Sequence, residues 1–199
     1  MAYKSTSVKP VGVVGAGSFG TAVANILSMN REVILYARNL ETVAEMKATR
    51  KSCGQNLNIR IHPTDDLESL ARQCDIIFPI VPSGNFREMM QRLSPYLHPY
   101  HMLIHGTKGF DISLPEGKVL DDQTPLNRSC VRTMTEVIRE ESVVVRVGCM
   151  AGPNLAKELS DGQPAATVIA SRFNEVINEG QRLLRNDRFQ VYGSSDVIG

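Results

Sequence analysis

What is scarce in this sequence narrows its chemistry. No apolar run is long enough to cross a bilayer, and Met1 to Lys9 is polar where a secretion signal would be hydrophobic. A cytoplasmic chain with a loose leader over residues 1–9 is therefore expected. No charge of one sign dominates: 22 Lys plus Arg face 21 Asp plus Glu, so no global field draws the chain to nucleic acid or a membrane. The expected partner is a small molecule held locally. Cys53, Cys74, Cys130 and Cys149 are scattered with no C-x-x-C pair, which argues against a zinc site and a disulfide framework and for buried thiols. His62, His98, His101 and His105 form no ligand-spaced cluster, so no metal is expected and a metal hydrolase is disfavoured. At 199 residues and 42% hydrophobic content, the chain fits one domain with a single buried core and would be cramped as two.

What is present begins with Val11-Gly12-Val13-Val14-Gly15-Ala16-Gly17-Ser18-Phe19-Gly20, an apolar run followed by three spaced glycines. It reads as strand, tight turn and helix, with Gly15 permitting the turn, Gly17 leaving the backbone open to a pyrophosphate, and Gly20 letting helix and strand pack closely. The first helical amides, near Ser18, Phe19 and Gly20, then offer unpaired N–H groups where the helix dipole also favours negative charge. Alone the motif is weak. Here Val23, Ile26 and Leu27 follow at helical spacing and Glu32 to Ala37 supplies a second strand, as a βαβ unit requires. The fold class this predicts is α/β, a Rossmann-type doubly wound and mostly parallel sheet with helices on both faces, over residues 10–199.

Where such a domain selecting NAD places an acidic residue, after the second strand, this chain has Ala37-Arg38-Asn39. A guanidinium there can fork onto a 2′-phosphate or stack on adenine, which favours NADP or dual use; otherwise Arg38 is a solvated cation and Asn39 and Glu41 serve a ribose. A helix over Leu40–Arg50, a polar loop over Lys51–Asn58, a strand over Ile59–His62 and a capped helix over Asp66–Gln73 read as packing units. Asp75 to Ser83 has the near-continuous apolar pattern of a central strand buried on both faces, with Pro79 tolerable at a bulge or where no ladder bond is made. Pro82 opens a rigid turn at its carboxyl end, the edge at which open α/β sheets bind ligands.

The helix Asn85–Leu93 and the strand Met102–His105 lead to Gly106-Thr107-Lys108-Gly109, so Lys108 emerges at the same edge. Its ammonium could hold a phosphate, a carbonyl or hydroxyl oxygen, or the cofactor. Asp111 to Pro125 reads as a surface excursion, Arg132 to Glu141 as a helix and Val143 to Cys149 as a strand. That strand ends in a turn where Gly152 and Pro153 stiffen the backbone and Asn154 caps a helix, a second candidate binding loop. Gln163–Ser171, Glu175–Leu184 and Phe189–Tyr192 read as strand, helix and strand.

Gly15-Ala16-Gly17-Ser18-Phe19-Gly20, Val81-Pro82-Ser83, Lys108-Gly109, Ala151 to Glu158 and Ser195 to Gly199, in this order, closely resemble the amino-terminal domain of NAD(P)-dependent glycerol-3-phosphate dehydrogenase. The resemblance implies hydride transfer between the nicotinamide and the secondary carbinol of sn-glycerol 3-phosphate, running physiologically from dihydroxyacetone phosphate. It implies Ser18, Phe19, Arg38 and Ala156 as cofactor contacts beside the glycines and Pro82, Lys108 as a contact to both cofactor and substrate, and Gly152 and Asn154 as substrate contacts. The chain departs from the family at Ala151, where Ser is commoner, and at Asn154, where an amide replaces a hydroxyl.

A further departure concerns the proton. Oxidising a carbinol needs a base and the reverse an acid; in the family this is a lysine of a Leu-Lys-Asn segment in a helical carboxyl-terminal domain. That segment would follow Gly199, so no catalytic residue is assigned, and the chain is expected to be the cofactor part of a longer, homodimeric enzyme, nearly inactive alone. Two readings compete: another Rossmann hydroxy-acid reductase, and a free-standing dinucleotide sensor of redox state.

Overall fold

The apolar run before the glycines is strand β1, Val11–Val14, buried throughout. In the computed structural model, which describes residues 8–112 and 127–198, seven more strands join it in one sheet. They are β2 (Val33–Tyr36), β3 (Ile61–Thr64), β4 (Ile76–Pro79), β5 (Met102–His105), β6 (Arg146–Ala151), β7 (Ala165–Ser171) and β8 (Phe189–Ser194). Their spatial order is β8-β7-β6-β5-β4-β1-β2-β3. The pairs from β3 through β6 are all parallel, which is the doubly wound order with its switch point between β1 and β4. Strand β7 reverses, pairing antiparallel with β6 and parallel with β8.

Alternation along each strand divides the interior in two. Val13, Leu35, Phe78 and Ile104 face a core closed by helices α1 (Ser18–Ser28) and α2 (Leu40–Thr49), together with the last helix of the chain, Asn174–Leu184. Ile34, Tyr36, Ile77 and Leu103 face a second core closed by α3 (Leu67–Gln73), α4 (Phe86–Leu93) and α5 (Met134–Glu141). Helices thus cover both faces, as a buried parallel sheet requires. The helical face expected on α1 holds, with Val23, Ile26 and Leu27 buried, and Val43 and Met46 on α2 and Met134, Val137 and Ile138 on α5 are buried as well. None of the helices is long and apolar enough to cross a membrane among the described residues.

Several boundaries differ from the sequence reading, each for a tertiary reason. The strand expected at Ile59 begins at Ile61, because register pairs Ile61 with Val33, and Ile59 is left 85% exposed. Of Val143, Val144 and Val145 only Val144 is buried, and β6 begins at Arg146 where it meets Met102. The polar stretch after α2 contains a tight hairpin pairing Lys51–Ser52 with Gln55–Asn56, turned by Cys53 (φ 48°) and Gly54 (φ 76°). Two central residues at positive φ are what a two-residue hairpin turn needs. Pro79 closes β4, and its carbonyl accepts from Gly106 N at 3.1 Å. Its missing N–H faces β5, and the register pairs with β5 stop short of it, at Ile77 and Leu103.

Of the expected leader, residues 1–7 lie outside the described residues; Val8 is exposed and Lys9 Nζ pairs with Asp75 at 2.7 Å. Most of the expected excursion, residues 113–125, also lies outside them, while Phe110–Ile112 pairs antiparallel with Val131–Thr133 as a small ribbon.

Candidate functional site

The three glycines of the opening motif stand in different surroundings. Gly15 has φ +121°, and a Cβ there would stand 2.0 Å from the Ile80 carbonyl oxygen of the neighbouring strand end. A Cβ on Gly20 would stand 1.9 Å from the Gly15 carbonyl oxygen. A Cβ on Gly17 would meet nothing within 4 Å, and its φ of −72° suits any residue. The protein itself therefore does not demand glycine at 17, and the space it keeps clear is outside the chain. Helix α1 starts at this point with no side-chain cap, which leaves its first amides to solvent or a ligand. Bare donors, the positive end of a helix dipole and open space are the donor set a pyrophosphate fits.

Two cavities flank this loop, sharing Val81 and Pro82 as a common wall. The first, about 300 Å³, includes Tyr36, Arg38, Asn39, Met89 and Arg92. Arg38 is exposed and makes no hydrogen bond or ion pair among the described residues. Asn39 Oδ1 accepts from Glu41 N at 2.7 Å and Thr42 N at 3.3 Å, so that oxygen caps α2. Glu41 is exposed and does not line the cavity. A second guanidinium, which the sequence reading missed, enters from α4: Arg92 Nη2 donates to Tyr36 Oη at 3.0 Å.

The second cavity, about 370 Å³, brings together Gly17, Phe19, Pro82, Lys108, Asn154 and Ala156. The Lys108 ammonium donates to the Gly152 carbonyl at 3.0 Å, tying the loop after β5 to the loop after β6. Thr107 Oγ1 anchors the same loop on Val81 O at 2.7 Å. Asn154 corrects the sequence reading. It does not cap a helix: the five-residue helix Ala156–Ser160 begins after Leu155, and the Asn154 amide turns inward to donate to Ala166 O at 2.8 Å. Thr167 Oγ1 donates back to Ala151 O at 3.0 Å, so the loop is braced on β7 from both sides. Gly152 fits only as glycine in this brace, since a Cβ would stand 3.0 Å from Ala166 O and 2.9 Å from Asn154 Oδ1.

Behind Lys108 lies a charge network that no spacing in the sequence announces. Arg87 Nε and Nη2 reach Asp111 Oδ2 at 2.9 and 2.8 Å, Nη2 reaches Glu140 at 2.7 Å, and Nη1 pairs with Glu141. Partial burial works against the Arg87 charge, but the Asp111, Glu140 and Glu141 carboxylates outweigh it and raise its pKa. Hydrogen bonds from Arg87 and Arg132 in turn hold the Glu140 carboxyl below its usual range. The network clamps the ribbon that follows Lys108 onto α4 and α5. His105, one turn of loop away, is buried beside Phe86 with Nε2 3.0 Å from Thr135 Oγ1, and burial pushes its pKa down to about 4. It is a neutral floor to the loop at ordinary pH. Among the described residues no group of three or more His, Cys, Asp or Glu could hold a metal.

Comparison with known proteins agrees with this geometry. Residues 10–177 match the family described as NAD-dependent glycerol-3-phosphate dehydrogenase N-terminus. The chain is 33% identical over 199 residues to glycerol-3-phosphate dehydrogenase [NAD(P)+] of Ectopseudomonas mendocina, covering 98% of the chain and 54% of that protein. Against the enzyme of the same name from Acinetobacter baylyi the identity is 35% over 201 residues, covering 98% and 51%. The crystal structure of glycerol-3-phosphate dehydrogenase from Coxiella burnetii superposes with a TM-score of 0.77 at 27% identity, covering 94% of the chain and 54% of that structure. A Dunaliella salina structure reaches 0.82 at 14% identity, covering 95% and 34%, a likeness of fold. The chain spans about half the length of the curated relatives it matches. With the parallel sheet, the glycine loop and the Lys108 and Gly152 loops meeting at one edge, the chain belongs to the NAD-dependent glycerol-3-phosphate dehydrogenase family, of which it represents the amino-terminal part.

Proposed function

We propose that this chain is the cofactor-binding half of an oxidoreductase that interconverts sn-glycerol 3-phosphate and dihydroxyacetone phosphate, supplying glycerophospholipid precursors. The observation that carries the reading is the Lys108 to Gly152 contact, which brings two loops from different strands to the cavity beside the glycine loop. The bound dinucleotide supplies the hydride. Gly15, Gly17, Ser18, Phe19 and Gly20 receive its pyrophosphate, Arg38 and Pro82 flank its adenosine end, and Ala156 lies beside its nicotinamide end. Lys108, Gly152 and Asn154 are assigned to the substrate, Lys108 and Asn154 as lining of the second cavity, with the ammonium neutralising phosphate charge or polarising the reacting oxygen. Proton exchange at that oxygen is assigned to a lysine outside this chain, in a helical domain that completes a homodimeric cytoplasmic enzyme.

NADP is favoured over NAD, because the adenosine cavity holds Arg38 and Arg92 and no carboxylate stands at the end of β2. Fluorescence titration of the chain with NADPH and NADH tests the reading, with tighter NADPH binding expected. Absence of binding to either would overturn the assignment, a clear preference for NADH would overturn the choice of cofactor, and turnover near that of an intact enzyme would overturn the division of labour.

A further inference from the structure

The hairpin Lys51–Asn56 packs against the glycine loop, and its side chains meet the loop as donors to carbonyl oxygens. Ser52 Oγ lies 3.3 Å from Ala16 O and Thr21 Oγ1 3.4 Å from it, and the two hydroxyls are 3.0 Å apart, so one donates to the carbonyl and the other to its neighbour. Thr21 and Ser52 are both buried. Cys53 Sγ lies 3.4 Å from the same Ala16 oxygen. Gln55 Nε2 donates to Ser18 O at 2.8 Å.

Peptide planarity turns these contacts into a statement about the opposite edge of each plane. In a trans peptide the C=O and the following N–H point in opposite directions, and the described residues contain no cis bond. Fixing Ala16 O toward the hairpin therefore turns Gly17 N–H away from it, and fixing Ser18 O on Gln55 does the same for Phe19 N–H. Both amides belong to residues lining the second cavity, and the space beside Gly17 is open. Gln55 keeps this contact at a cost, because its Oε1 is buried without a partner among the described residues. A glutamine with no positioning role would turn that oxygen to water.

We propose that Ser52 and Gln55 are positioning residues for dinucleotide binding, holding the Ala16–Gly17 and Ser18–Phe19 peptide planes so that pyrophosphate oxygens meet pre-aligned N–H donors. The inference rests on the dinucleotide reading above and adds residues that lie on the far side of the loop from the ligand. Preorganisation of this kind acts on affinity, since donors already aligned need no ordering when the anion arrives.

The test compares the chain with Gln55→Met, which keeps length and removes the donor, Ser52→Ala, which removes the hydroxyl, and Ser52→Thr, which retains one. Affinities for ADP-ribose, which carries the pyrophosphate, and for AMP, which does not, are measured by calorimetry alongside the melting temperature without ligand. Gln55→Met and Ser52→Ala are expected to weaken ADP-ribose binding by about threefold to tenfold each, to leave AMP binding unchanged, and to melt as the parent does, while Ser52→Thr binds as the parent. Unchanged ADP-ribose affinity in both variants overturns the inference. So does equal weakening of both ligands together with a fallen melting temperature, which would make the hairpin a stabilising element only. Should Ser52→Ala fail to fold, Gln55→Met decides the question. If the parent chain binds neither ligand, the dinucleotide reading itself fails, a result distinct from parent binding that the variants leave intact.

Discussion

Replacing Gly17 by alanine separates what the fold needs from what a ligand needs. The added methyl meets no protein atom within 4 Å, and the backbone at φ −72° and ψ 177° is open to any residue. Restricting the unfolded chain adds about 0.4–1 kcal/mol of stability, and placing alanine at a helix N-cap removes about 0.5–1 kcal/mol. The two offset, so the melting temperature is expected to move by about 3 °C or less. Binding has no such compensation. The methyl projects into the space through which phosphate oxygens reach the amides of Ser18 and Phe19, and displacing them weakens charge-assisted hydrogen bonds worth about 1.5–3 kcal/mol each. Losing the equivalent of one such bond weakens NADPH about tenfold to hundredfold. Gly20→Ala gives the opposite pattern: its methyl would stand 1.9 Å from Gly15 O, so the fold must shift, at a cost of about 1–3 kcal/mol or more. Thermal melting and NADPH fluorescence titration on both variants, with Gly17→Ser as a control that restores a capping side chain, measure the two axes. A Gly17→Ala chain that binds NADPH as tightly as the parent would refute the reasoning, and so would one that melts far below it.

Three further outcomes follow from the same geometry. Arg38→Asp places a carboxylate where the adenosine 2′-phosphate is assigned, and is expected to weaken NADPH by at least about tenfold while changing NADH much less; equal losses in a titration of both would count against the cofactor preference. His105 has its pKa lowered from 6.5 to about 4 by burial, so the unfolded chain binds the proton more readily between those values. Its contribution to stability is complete above about pH 6.5 and lost as pH falls toward 4, by up to about 3 kcal/mol, and denaturant unfolding of His105→Phe across that window should show this part of the slope removed. Arg87→Met leaves Asp111, Glu140 and Glu141 without this shared cation and is expected to destabilise by about 1–3 kcal/mol; unchanged melting would make the network ornamental.

The parts of the fold that could be read from sequence are those set by local chemistry. The glycine spacing, the continuous apolar run of β4 and the helical periods of α1 and α5 each act within one element, and each appears where its residues place it. Boundaries shifted wherever a distant partner chose the register: Ile59 is apolar enough for a strand, yet the Ile61 to Val33 pairing leaves it outside. The supports of the site were hidden for the same reason. Ser52 and Gln55 act on residues 36 and 37 positions away, and Arg87 on residues 24 to 54 away. The signal for the hairpin, a glycine after a turn residue between polar pairs, is common in ordinary loops and gained meaning only from what it touches. Asn154 shows the limit most directly. Its residue type favours a helix cap, but the side chain is buried and the Ala166 carbonyl on β7 stands within its reach, and a buried amide is better satisfied by that bond.

The reversal of β7 explains how the second wall of the site is braced. In a purely parallel sheet a strand's carboxyl end is followed by a crossover helix, so only one end of the loop at the binding edge is a strand of the sheet. Here β6 reaches that edge at Ala151 and β7 departs from it at Ala165, so both ends of the connecting loop sit where the ligand is assigned. Cross-strand bonds can then brace the loop against its own return strand, as Asn154 to Ala166 and Thr167 to Ala151 do. Lys108 adds the third tie, from the parallel neighbour β5, and lands on the Gly152 carbonyl between those braces. In the proposed function, a cation held at a braced acceptor exchanges that single bond to reach an incoming phosphate or hydroxyl oxygen. The departure from parallel order thus falls next to the residues assigned to the substrate, and the glycine loop assigned to the dinucleotide lies at the edge of the all-parallel portion.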